Sequence, residues 1–211
     1  MSTQGWDESR PVPTELLASL AELALRLPSE HEQPTARWII VQSKEAKGRV
    51  AAAAYGQPLV LKAPALVVVV ADLEPERVGQ TWLDQRVSQG EISPEQAQRS
   101  LALAKRAPGR WPNRGLWAVR HAMQTVGSLL LAGSQAGLLV QLIADFDHGK
   151  LRMALGIPDD HEIAALLGLG IALPSGSEPT LATVNIEDLC FAEHFGQPRD
   201  GSVRVCQSPQ S

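Results

Sequence analysis

The sequence predicts a layered fold of the α+β or α/β class, and three observations carry that reading. Ala65-Leu66-Val67-Val68-Val69-Val70 is continuously apolar and rich in β-branched residues, the pattern of a strand covered on both faces. Two stretches, from Leu16 to Leu27 and from Leu116 to Gln135, repeat apolar residues at helical spacing. Strand candidates lie far apart in sequence with helices between them, which calls for stacked layers. The 211 residues, 44% apolar and 20% charged, suit one globular domain with a sizeable core.

The elements follow in order. Pro13-Thr14-Glu15 opens a helix with Thr14 as its N-cap. Leu16, Leu17, Leu20, Leu23, Ala24 and Leu27 carry its apolar stripe, and Pro28 stops it. Trp38-Ile39-Ile40-Val41 reads as a short buried strand, and Ser43 to Tyr55 as an alanine-rich helix. The stretch from Glu74 to Arg106 is the most polar and reads as a helical excursion over the core. Within it, Ser93-Pro94-Glu95-Gln96 has proline at the first helical position and glutamine in the capping-box place. Ala107 to Gly115 reads as a loop, and Leu116 to Gln135 as the longest helix. On that helix Ala118, Ala122, Gly133 and Ala136 are small enough to let another backbone come close. Leu138 to Ile143 is a strand, Asp147 to Leu155 a helix, and Ala164 to Ala172 mostly strand. The division expected is an arm at 1–10, one domain at 11–195 with the excursion at 74–106, and a polar tail at 196–211. Such a tail orders only by packing on something, a partner subunit for instance.

Charge and motifs exclude several function classes. A net charge of -4, with no arginine-rich arm and no basic stripe, gives no footprint for nucleic acid. The longest apolar run, Ala63 to Ala71, is too short to span a bilayer, and no signal peptide is seen at the N-terminus. Cys190 and Cys206 allow one bridge at most, and such sparse cysteine fits a reducing cytoplasm. Gly168-Leu169-Gly170 lacks the third glycine of a dinucleotide fingerprint, and no phosphate loop or nucleophile elbow occurs. The five histidines are scattered without ligand spacing, so no metal site is expected. In Asp145-Phe146-Asp147-His148, Asp147 reads as a helix N-cap, and Asp159-Asp160-His161 as a polar turn.

One pattern does span the chain. Its early block is Pro11-Val12-Pro13, Leu16-Leu17, Leu25, Pro28-Ser29, Gln33-Pro34 and Trp38-Ile39-Ile40-Val41. Its later block runs from Trp117-Ala118-Val119-Arg120-His121-Ala122-Met123-Gln124 through Leu129-Leu130-Leu131-Ala132 and Ala136-Gly137-Leu138. It continues to Phe146-Asp147, Leu151-Arg152, Leu155-Gly156-Ile157-Pro158 and Leu166-Leu167-Gly168-Leu169-Gly170. In order and spacing this resembles the nitroreductase family of flavin-dependent oxidoreductases over residues 11 to 190.

The resemblance implies an α+β, nitroreductase-like fold: a central mixed or antiparallel sheet flanked by helices, with the long central helix at a homodimer interface. It implies FMN in clefts between subunits and NAD(P)H as reductant. It also implies a ping-pong cycle that reduces nitro-aromatics, quinones or similar small acceptors. The flavin carries that chemistry, so no side chain is expected to be catalytic in its own right. Ser29 and Gln33 match flavin-contacting positions, whereas the usual asparagine is replaced by Glu32 and two residues are inserted before Trp38. The polar residue that reaches the ring falls at Gln57, and the backbone donor to flavin N5 at Ala144-Asp145. Asp145 stands where the family often has glycine, and its carboxylate disfavours a reduced flavin anion.

The phosphate positions depart further. The family's Arg-Arg-Ser-x-Arg run maps to Met1 to Gly5 and its later Lys or Arg pair to Leu181 to Val184, ahead of Ile186-Glu187-Asp188-Leu189; neither stretch holds a basic residue. Arg37 and Arg204 are the expected substitutes, and Arg10, Lys44, Arg120 and Arg199 are further candidates. The missing cations leave two other readings open. One is a pseudoenzyme or binding protein on the same fold. The other is a flavin-fragmenting or dehalogenating relative.

Overall fold

The protein is described by a computed structural model covering residues 5–25, 35–106, 109, 113–173, 191–194 and 197. The element order is α1 (Thr14–Leu25), β1 (Ala36–Val41), α2 (Lys44–Ala53), α3 (Pro58–Lys62), β2 (Ala65–Asp72), α4 (Glu76–Ser88), α5 (Pro94–Arg106), α6 (Arg114–Gln135), β3 (Leu139–Ile143), α7 (His148–Leu155) and β4 (His161–Gly170). The class is α+β. Among the described residues the sheet has four strands in the order β1-β2-β4-β3, and every pairing is antiparallel.

β2 is the axis of the fold. All eight of its residues are buried, as its uninterrupted apolar run requires. Alternation splits it between two cores. Ala65, Val67, Val69 and Ala71 meet Leu17 and Leu20 of α1 and Trp117, Ala118, Ala122, Val126 and Leu129 of α6. Leu66, Val68 and Val70 meet Val50, Ala51 and Ala53 of α2, Val60 of α3 and Leu151 of α7. A register shift between Val69 and Val70, opposite Ala165 and Ile163, leaves Ala164 as the extra residue of β4.

Local signals set the helix ends. Ser43 accepts from Ala46 N–H, Asn113 from Leu116 N–H and Asp147 from Lys150 N–H, so each caps the helix that follows. Ser93 and Gln96 exchange bonds as a capping box at 2.7 and 3.2 Å. Gly156, at φ 65°, ends α7 in the left-handed conformation.

Three expectations are corrected. Thr14 lies inside α1 and does not cap it: Leu17 N–H bonds Pro13 O at 3.2 Å, so Pro13 holds the capping place. Arg114 and Gly115, read as loop, belong to α6, because the Asn113 side chain starts that helix earlier. Three of the small residues, Ala118, Ala122 and Gly133, serve the chain's own sheet, whereas Ala136 is the exposed C-cap of α6. Ala118 and Ala122 are fully buried against that sheet, and a Cβ on Gly133 would lie 2.5 Å from Val140 Cγ2. The polar stretch after β2 forms α4 and α5, which pack on each other with Leu83, Ala97 and Ala104 buried.

By its contacts the chain divides into two units. One spans Gln4–Ser175. In the other, the described residues make a tight turn in which Ala192 N–H bonds Gln197 O at 2.9 Å.

Trp6 locks the N-terminal segment into the first unit. It is 3% exposed, donates from Nε1 to Leu139 O at 2.9 Å, and pairs across a bridge with Ala172. Its ring needs two glycines on β4. A Cβ on Gly168 would lie 2.5 Å from Trp6 Cη2, and one on Gly170 would lie 2.7 Å from Trp6 Cδ1 and 2.6 Å from Pro64 Cδ. The pair that fell short of a nucleotide fingerprint is therefore a socket for an indole. Trp6→Ala is expected to cost about 3–5 kcal/mol in urea denaturation, and Gly168→Ala about 1–3 kcal/mol. Most of the Gly168→Ala penalty should vanish in the Trp6→Ala background; strict additivity of the two would refute the socket.

Candidate functional site

The turn after α2 and the loop after β3 meet at the candidate site. α2 ends at Ala53, and Tyr55 and Gly56 follow at φ 56° and 71°. A left-handed tyrosine is costly, and here it reverses the chain into Gln57, which precedes Pro58 at the start of α3. Gln57 sits in the N-cap position of α3 but makes no side-chain cap bond. Its amide Nε2 instead donates to the carbonyl of Asp145 at 2.6 Å, across 88 residues of sequence.

The other side of this contact is the segment leaving β3. The last ladder pair is Ile143 with Leu166, so Ala144 and Asp145 have no ladder partner, and both are exposed. Asp147 N–H bonds Ala53 O at 2.9 Å. The loop from 144 to 147 is thus held to the 53–57 turn by a backbone bond and a side-chain bond. Phe146 packs on the α2 core and lies 4.6 Å from the His148 ring. Beyond Ala53 a cavity of about 360 Å³ opens between α2 and α7, lined by Arg49, Ala52, Lys150, Met153 and Ala154.

The charges here are mostly spoken for. Asp147 accepts the Lys150 backbone N–H, which holds its carboxyl below the ordinary value, and the Lys150 ammonium 3.8 Å away acts in the same sense. Lys47 donates to Ala63 O at 2.9 Å, and Arg49 pairs with Glu45 at 2.9 Å. Arg152 donates to Pro158 O at 2.6 Å and pairs with Glu162 at 3.3 Å.

Of the residues expected from sequence, the structure brings Gln57, Ala144 and Asp145 together. Arg37 stands apart from them. It lies on β1 at one edge of the sheet, whereas Ala144 and Asp145 extend from β3 at the other, three inter-strand steps or roughly 14 Å of backbone away. Its guanidinium donates to the buried carboxylate of Asp72 at 2.7 Å. Ser29, Gln33 and Arg204 lie outside the described residues, as do Glu32 and Arg199. Sequence reading missed the Ala53 carbonyl and the left-handed Tyr55. The Tyr-Gly pair before Gln57 was a turn signal, but a backbone acceptor leaves no trace in sequence. Among the described residues no group of three or more His, Cys, Asp or Glu could hold a metal ion, and no helix is long and apolar enough to cross a membrane.

Two outcomes follow. Gln57→Ala should raise hydrogen–deuterium exchange at residues 145–147 by about 2–10-fold, the loss of one hydrogen bond, without moving exchange in β2. Asp147→Ala should lower Tm at neutral pH. A depressed carboxyl stabilises above its ordinary value of 3.8 and loses that contribution as pH falls through its folded value, so the Tm gap should close below 3.8. A gap unchanged at pH 3 would show that the charge is not what caps α7.

Comparison with known proteins gives a consistent picture. Residues 1–171 match the family model described as the Nitroreductase family. A protein of Thermus thermophilus named NADH dehydrogenase is 33% identical over 166 residues, covering 79% of this chain and 80% of its own. YodC of Bacillus subtilis, provisionally named an NAD(P)H nitroreductase, is 23% identical over 82% of this chain and 85% of its own. The solved structure of a provisionally named nitroreductase from Exiguobacterium sibiricum in complex with FMN superposes with a TM-score of 0.80 at 18% identity, covering 92% of this chain and 93% of that one. With the family model matching most of its length and the α+β architecture in place, the chain belongs to the nitroreductase family.

Proposed function

We propose that the protein is an FMN-dependent NAD(P)H oxidoreductase of the nitroreductase type, reducing nitro-aromatics, quinones or similar small acceptors by ping-pong hydride transfer. The observation that carries this is the bond from Gln57 to the Asp145 carbonyl. It joins, across 88 residues, the two places where the resemblance puts the contacts to a flavin ring. Family membership and relatives named for NADH and NAD(P)H chemistry support the same reading.

The residues fit the ring. The Gln57 amide keeps a second N–H and its oxygen after serving Asp145, and the sheet does not consume the backbone of Ala144 and Asp145. A flavin held there supplies hydride transfer, from the nicotinamide and on to the acceptor. The chain's own part is to hold the 144–147 loop rigid through Gln57 and Ala53, and to set the local charge through Asp145. The residues do not fit the phosphate: positions 1–5 and 181–184 hold no cation. That observation also favours a second reading, a binding protein on the same fold. The sparse cysteine and the proposed use of NAD(P)H support a cytoplasmic location.

A homodimer completes the proposal. Leu116, Met123 and Leu131 are exposed along one face of α6, Leu131 by 71%, and a Cβ on Gly127 between them would meet nothing within 4 Å. A second copy of this helix would bury that stripe. Size-exclusion chromatography is expected to give a dimer, and Leu131→Glu a monomer or a weakened dimer; a wild-type monomer would remove this part.

The enzyme assay is NADH and NADPH oxidation with excess FMN and a quinone or nitro-aromatic, compared with the same mixture without protein. A rate well above the free-flavin background is expected. A rate equal to background with flavin demonstrably bound would overturn the oxidoreductase reading in favour of the binding protein.

A further inference from the structure

We propose that the ring of Tyr55 is a contact surface for the electron acceptor, stacking on the flat face of a quinone or nitro-aromatic. This rests on the oxidoreductase reading above and adds to it the residue that favours planar substrates.

The first observation is a comparison of helix ends within the chain. Among the described residues four helices close with one backbone motif, in which an N–H beyond the helix bonds a carbonyl five residues back. Gly56 N–H bonds Ala51 O at 2.8 Å after α2, and Glu91 N–H bonds Arg86 O at 3.0 Å after α4. Leu138 N–H bonds Gly133 O at 2.9 Å after α6, and Ile157 N–H bonds Arg152 O at 3.0 Å after α7. The residue just before that N–H takes the left-handed conformation, so glycine is usual there. After α4, α6 and α7 it is Gly90, Gly137 and Gly156, at φ 72°, 77° and 65°. After α2, the helix that leads into Gln57, it is Tyr55 at φ 56°.

The second observation is that the fold gains little from this side chain. A Cβ in the left-handed region is strained, and a glycine would reverse the chain without that cost. Tyr55 is 68% exposed, so its ring buries little apolar surface. Among the described residues its hydroxyl makes no hydrogen bond. A bulky residue held in strain and turned to water serves something outside its own fold.

The third observation is where it stands. Gln57 follows two residues later and bonds the Asp145 carbonyl. Two peptide units put the Tyr55 and Gln57 Cα atoms at most about 7.6 Å apart. The ring therefore lies at the rim of the place where the flavin reading puts the hydride. The face of a phenol is electron-rich, whereas quinones and nitro-aromatics are planar and electron-poor. Offset stacking of such a pair is favourable, and an acceptor without a flat ring gains nothing from it.

Tyr55 is the only tyrosine of the chain, so labelling with 3-fluorotyrosine gives one fluorine resonance. The labelled full chain, loaded with FMN in its oxidised form, is titrated with menadione and separately with puckered cyclohexane-1,4-dione. The resonance is expected to move saturably with menadione and to stay in place with the dione. Tyr55→Gly is expected to raise Tm by about 1–4 °C, since glycine relieves the strain. The same change should raise KM for menadione about 2–10-fold and leave KM for ferricyanide unmoved. Tyr55→Phe, which keeps the ring, should restore the menadione KM. A resonance that menadione leaves unmoved while FMN is bound would overturn the proposal and leave the oxidoreductase reading standing. A fall in Tm for Tyr55→Gly would overturn it too, by showing that the ring serves the fold. A resonance that moves on Leu131→Glu but not with menadione would assign the ring to the subunit contact instead. Failure of the chain to bind FMN, read separately by flavin fluorescence, would overturn both readings together.

Discussion

The structure depends on the burial of β2 from both sides. An antiparallel strand commonly keeps one face in water, but β2 has none to spare: its odd residues sit under α1 and α6 and its even residues under α2, α3 and α7. Each helix layer is therefore positioned by the same eight residues. The site inherits that placement. The turn after α2 and the loop before α7 meet because both helices pack on the even face of β2 and its neighbour β4.

Much of the fold was legible in the sequence where one residue type had one physical job. The valine run announced a doubly covered strand, Asp147 a helix start, and Ser93 with Gln96 a capping box. The misreadings came where a residue's job depends on a distant partner. Small residues on α6 promised a close approach, but sequence does not say to what. The Gly168-Gly170 pair could be judged against a nucleotide fingerprint, yet its use as a socket depends on an indole more than 160 residues earlier.

The candidate site was partly legible for the same reason. Gln57 and Asp145 were found by resemblance, each on its own segment. The bond between them joins a side chain to a main-chain oxygen, and main-chain oxygens are identical at every position. Arg37 shows the reverse case. An arginine near the right place in sequence suggests an anion ligand, but the buried Asp72 at the end of the neighbouring strand had the stronger claim, since an unpaired carboxylate inside the fold is expensive.

The strand order has a consequence for how the molecule is made. β2 lies between β1, which is synthesised before it, and β4, which follows about ninety residues later. At roughly 5–20 residues per second, a ribosome needs on the order of 5–20 s to deliver that missing neighbour. During the interval one edge of Ala65–Asp72 is unpaired and its run of valines lacks α6, which is also still to come. A segment so apolar, β-prone and nearly uncharged pairs readily with other nascent chains. The feature that makes the finished sheet solid is thus the one that leaves the growing chain with an unpaired, uncovered strand until α6 and β4 emerge.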